Sequence, residues 1–60
     1  MSGVFTVWWQ GNECFRQGQY DEAIDYYTEA IGLDAGNAVL YANRAMALLK
    51  QHKWVFYAGN

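Results

Sequence analysis

The sequence predicts an all-α chain of three helices, and three features carry that prediction. None of its 60 residues is proline, so no position forbids a long helix. Three breaks, Gln17-Gly18-Gln19, Asp34-Ala35-Gly36-Asn37 and the closing Gly59-Asn60, cut it into helix-length segments. The middle segment then sets its apolar residues on one continuous helical stripe.

The first segment spaces Val4, Val7, Gly11 and Cys14 as one helix face, with Trp8 and Phe15 alongside. Its opening, Val4-Phe5-Thr6-Val7-Trp8-Trp9, is built of strand-favouring residues, as is Trp54-Val55-Phe56-Tyr57. Two short strands pairing at the ends of the chain are therefore the alternative to a helix there. In the middle segment Tyr20, Ala23, Ile24, Tyr27, Ala30 and Ile31 form the apolar stripe, and Asp21, Glu22, Asp25 and Glu29 lie opposite. Asp21 and Glu22 fall in the first turn, where the helix dipole favours negative charge. The third segment opens at Asn37, a good N-cap. Tyr41, Ala45 and Leu48 make one row of it, Ala42, Met46 and Leu49 the row beside, and Lys50 and Lys53 close it.

Sixty residues make one domain at most. A chain this short hides only about 60% of the surface its unfolded form exposes, so its own core is marginal. Disulfides, a metal or a partner are the usual remedies. One cysteine, Cys14, and one histidine, His52, supply neither of the first two, which leaves a partner or a second copy. With 53% hydrophobic and 17% charged residues, the profile is the reverse of a disordered segment's. A net charge of −2 gives no electrostatic reason to bind nucleic acid or an anionic membrane. Six acids and Arg16 precede Ala38, whereas Arg44, Lys50, His52 and Lys53 follow it with no acid. Such halves suit head-to-tail pairing of two copies. No apolar run approaches the roughly 20 residues of a membrane span, and residues 1–9 lack a secretory pattern. With a single thiol, a cytoplasmic location is the expectation.

Gly11-Asn12, Gly18, Tyr20-Asp21-Glu22-Ala23-Ile24, Tyr27, Ala30-Ile31 and Leu33-Asp34 resemble the tetratricopeptide repeat, a helix–turn–helix unit of about 34 residues. The resemblance implies a full antiparallel repeat over residues 4–37. The first helix of a second repeat then spans 38–54, and 55–60 form a tail, so that 1–60 is a single truncated unit. It places Tyr41 at the second repeat's aromatic position and Ala45 at its small one. Small Gly11 and Ala23 let the helices approach, Tyr20 and Tyr27 fill the space between them, and Gly18 makes the turn. The chain departs from the pattern at Gln10, where leucine is usual, and at Ala35-Gly36, where proline is common. It also lacks a second-helix start after Trp54. Fewer than three repeats leave a solenoid's core uncovered. A self-association surface of Trp54, Phe56 and Tyr57 is expected from this, with helix exchange hinged at residues 34–37 as a second route to a homo-oligomer.

The family implies a protein–protein interaction module, not an enzyme and without a cofactor, whose first helices line a peptide groove. Gly11-Asn12 with Tyr41-Ala42-Asn43-Arg44-Ala45 looks like the co-chaperone branch, whose groove grips the carboxylate end of Hsp70 or Hsp90 tails. In that branch the residues matching Asn12 and Asn43 donate amide hydrogen bonds to the carboxylate, and Lys50 matches a basic groove position. The expected peptide-binding set is Trp8, Asn12, Phe15, Asn43, Met46 and Lys50, with Trp8 standing where that branch has lysine. Cys14 reads as a small buried hydrophobe and His52 as part of a solvated helix end. No phosphate loop or metal-ligand spacing occurs, and Trp8, Trp9 and Phe15 lack the basic neighbours that nucleic acid would need.

Overall fold

The computed structural model describes residues 3–51, which form three α-helices joined by two tight corners. They are α1 (Gly3–Arg16), α2 (Tyr20–Leu33) and α3 (Ala38–Gln51), each of 14 residues and so about 21 Å long. The strand alternative for residues 4–9 is not realised, because α1 runs straight through them. In a helix Phe5 and Trp8 lie one turn apart and meet with ring centroids at 5.6 Å, and that packing overrides their strand propensity. The same question for residues 54–58, together with Trp54, Phe56, Tyr57, His52 and Lys53, lies outside the described residues.

Both corners are closed by local hydrogen bonds. Gly18 takes φ 81°, the left-handed conformation that only glycine adopts without strain. Its N–H bonds to the Phe15 carbonyl at 3.0 Å and that of Gln19 to Cys14 at 2.8 Å, the paired bonds of a Schellman motif. At the second corner the Asn37 N–H reaches the Asp34 carbonyl at 3.1 Å. The Asn37 side-chain oxygen then accepts from the Val39 N–H at 3.0 Å, so Asn37 is the N-cap of α3.

The middle helix has a neighbour on each side, α1 and α3. Its Ala23, Tyr27 and Ala30 are buried, and Tyr27 and Leu40 are the largest fully buried side chains. Gly11 explains how α1 comes so near. A Cβ there would stand 2.6 Å from Cε1 and 2.8 Å from Cδ1 of Tyr27, so the ring occupies the space a side chain would fill. Phe15 meets Tyr20 edge-on at 5.4 Å across the turn.

The third helix turns out differently from its sequence pattern. Its buried line is Leu40 and Ala47, not the rows Tyr41-Ala45-Leu48 and Ala42-Met46-Leu49, which are exposed. Both kinds of row are apolar at helical spacing. The line that α2 covers is the one that α3 buries, and the others have no neighbour among the described residues.

Candidate functional site

The expected site residues fall on two helical strips. Trp8, Asn12 and Phe15 follow one another along α1, and Asn43, Met46 and Lys50 along α3, in both cases about one turn apart. The two helices run parallel, since each is antiparallel to α2. A cleft of about 250 Å³ lies between the start of α1 and the start of α3, lined by Val4, Phe5, Trp8, Asn37, Val39 and Leu40. Trp8 alone of the expected set lines it. The sequence reading missed Val39, whose signal was its place one turn before Asn43 on the same strip.

Asn12 is the most defined member. The Tyr27 hydroxyl donates to its side-chain oxygen at 2.6 Å. Burial holds the Tyr27 phenol above its ordinary pKa, with a smaller contribution from Cys14, so the hydroxyl stays a donor through the neutral range. The bond fixes the amide's orientation and occupies its oxygen, leaving the NH₂ donors uncommitted. Asn43 is half-buried on the facing strip, Met46 is 50% exposed, and Lys50 is exposed in the last turn of α3.

Phe15 stands apart from the others. It packs against the core cluster and on Tyr20, so it serves the helix hairpin. Trp8 also packs partly against the core, and its indole N–H is buried without a hydrogen-bond acceptor among the described residues. Arg44, beside Asn43 in sequence, belongs to a different interface. Its guanidinium donates to the Thr28 hydroxyl at 3.3 Å and lies 5.8 Å over the Tyr41 ring, tying α3 to α2. Arg16 pairs with Glu13 one turn back on α1. Among the described residues Lys50 is thus the cation of the two strips, and the acids of α2, Asp21, Glu22, Asp25 and Glu29, are exposed on that helix.

Two uncommitted amides, one ammonium and an apolar cleft can bind a carboxylate and an apolar side chain. Nucleophilic chemistry finds less support. Burial, then the carboxylates of Glu22 and Glu13, push the Cys14 thiol above its usual pKa, the opposite of an activated thiolate. Among the described residues no group of His, Cys, Asp and Glu could hold a metal ion, and no helix is long and apolar enough to cross a membrane.

A family model described as TPR repeat matches residues 11–51. RNA polymerase II-associated protein 3 of Homo sapiens is 51% identical over 45 residues, covering 75% of this chain and 7% of that protein. Stress-induced-phosphoprotein 1 of Caenorhabditis elegans is 49% identical over 41 residues, 68% of this chain and 13% of that protein. Serine/threonine-protein phosphatase 5 of Mus musculus is 37% identical over 51 residues, 85% of this chain and 10% of that protein. The chain thus spans only a small part of the length of the relatives it matches. No solved structure matches it.

Proposed function

The chain belongs to the tetratricopeptide repeat family, whose repeat is an interaction module, and on that premise we propose that it docks the C-terminal end of an extended peptide between α1 and α3. Asn12, Asn43 and Lys50 hold the terminal carboxylate, while Trp8, Met46 and the cleft beside Val39 receive apolar side chains. Phe15 supports the strip from beneath. Residues 4–37 act as one full repeat, and 38–54 as the first helix of a second, followed by 55–60. The ligands this favours are acidic peptides with a free carboxylate, Hsp70 and Hsp90 tails among them, met in the cytoplasm.

The Tyr27–Asn12 hydrogen bond carries this reading, because it engages the amide oxygen and leaves the NH₂ donors for a ligand. Trp8 in place of a lysine removes one charge-assisted bond, worth about 1.5–3 kcal/mol. Affinity should fall roughly ten- to hundredfold below that of a complete clamp. Titration of an acidic peptide, followed by amide shifts in NMR spectra, tests it. Binding should weaken when the peptide is C-terminally amidated, weaken in Asn43→Ala, and strengthen in Trp8→Lys. Binding indifferent to amidation and to Asn43→Ala would refute the carboxylate role.

Self-association is a second reading, favoured by the apolar rows of α3 that no described element covers.

A further inference from the structure

The hairpin of α1 and α2 brings Gly11, Asn12 and Tyr27 into one contact. Gly11 is buried, and a Cβ there would stand 2.6 Å from the Tyr27 ring. The ring is therefore lodged against the α1 backbone, where it is only 2% exposed. From that seat its hydroxyl reaches the side chain of the very next residue, donating to Asn12 Oδ1 at 2.6 Å. The glycine makes the slot, the ring fills it, and the hydroxyl holds the neighbour.

We propose that Tyr27 is a positioning residue for ligand binding, which fixes Asn12 as a donor and so sets a preference for a terminal carboxylate over a terminal carboxamide. This rests on the carboxylate reading above and adds to it the residue that enforces the choice. A carboxylate only accepts hydrogen bonds, whereas a carboxamide both donates and accepts. An asparagine whose amide turns freely suits either, since its oxygen and NH₂ exchange places. Asn12 is not free to turn. Reversed, its NH₂ would face the Tyr27 hydroxyl, whose proton would lose the one acceptor it has among the described residues. A buried donor left unpaired is the costly outcome, so the oxygen stays toward Tyr27.

Phenylalanine at position 27 would keep the ring against Gly11 and remove only the hydroxyl. The Asn12 amide then populates both orientations. A carboxylate has to select one of them, so its apparent affinity falls with the fraction populated, roughly two- to threefold. A carboxamide gains the orientation it lacked and binds more tightly. Tyrosine and phenylalanine are both uncharged at neutral pH, so attraction to Lys50 is the same in the two chains and cancels from the comparison. A substitution that merely loosened the fold would weaken both ligands by one factor and leave their ratio alone. The ratio therefore separates positioning from stability.

The test titrates the whole 60-residue chain with an N-acetylated peptide of glutamate and leucine, followed by amide shifts in NMR spectra. The peptide is made once with a free C-terminal carboxylate and once as the carboxamide. In Tyr27→Phe the carboxylate-to-carboxamide affinity ratio should fall at least about threefold. In an Asn12→Ala background the same substitution should leave that ratio unchanged. A wild-type chain with no preference overturns the carboxylate reading, and this inference with it. A preference that survives Tyr27→Phe overturns the positioning role alone. A fall of equal size in the Asn12→Ala background means that Tyr27 acts by another route, and overturns it too. Should Tyr27→Phe lose its helical circular dichroism, the wild-type spectrum decides. A Tyr27 hydroxyl proton coupled across the bond to the Asn12 side-chain carbonyl carbon supports the lock. Asn12 NH₂ protons set against the Tyr27 oxygen overturn it.

Discussion

The helices α2 and α3 have the same length, and both carry more than one apolar row, yet they end in opposite situations. In α2 the row Ala23-Tyr27-Ala30 is sealed, with Tyr27 only 2% exposed. In α3 Leu40 and Ala47 are sealed, while Val39, Tyr41, Met46, Leu48 and Leu49 stay open. Among the described residues the difference lies in close packing: α2 packs against both α1 and α3, whereas α3 packs closely against α2 alone. Stability in this chain should therefore be concentrated where α1 meets α2, and binding capacity on α3.

The largest effect expected from that contrast is at Tyr27. Its ring fills the space opposite Gly11 and its hydroxyl is bonded to Asn12. Tyr27→Ala should cost about 3–5 kcal/mol, the range for deleting a buried aromatic, which a chain of this size will not survive folded. Circular dichroism should show loss of the helical signal at 25 °C. A folded Tyr27→Ala would mean that α2 is not the centre of the molecule.

Gly11→Ala comes next. Alanine is the better helix former by about 1 kcal/mol, but its Cβ would sit 2.6 Å from a ring that cannot retreat. Overpacking of this kind costs about 1–3 kcal/mol, so urea melts should show a net loss. Gly32 supplies the control, since nothing lies within 4 Å of a Cβ there. Gly32→Ala should stabilise by about 0.4–1 kcal/mol. The same substitution thus takes opposite signs according to whether another helix lies against the site.

A smaller effect is expected at high pH. Tyr27 and Cys14 both hold their protons more tightly in the folded chain than when exposed, chiefly through burial. The unfolded chain therefore releases those protons first, and stability falls as pH rises from about 8.5 through the folded values of both groups. Urea titrations between pH 7 and 11 should show that decline. Tyr27→Phe should remove the tyrosine's share of it, at a cost near 0.5–1.5 kcal/mol from the lost hydrogen bond.

Much of this was legible in the sequence. Gly18 announced the left-handed turn, Asn37 the cap, and Tyr20 to Ile31 the central helix, because each rests on local chemistry. The closeness of α1 and α2 was legible in Gly11 as well. The buried line of α3 was not. Leu40 and Ala47 have no more apolar character than Tyr41, Leu48 or Leu49, and periodicity cannot say which of two apolar faces has a neighbour. Asn12 was marked as a site residue, but its bond to Tyr27 joins positions 15 apart that only the hairpin brings together. Arg44 was hidden for the same reason, since its partner Thr28 lies on another helix.

The smallest expected effect is the one that separates the two helices most directly. Leu49 is 51% exposed, and glutamine matches leucine closely in helix propensity. At concentrations where the chain is monomeric, Leu49→Gln should shift unfolding by no more than about 0.5 kcal/mol, as exposed substitutions do. A loss of 2 kcal/mol or more in the same melt would mean that Leu49 is covered within a single molecule. The two helices would then be equally buried, and the open face of α3 would have to be given up.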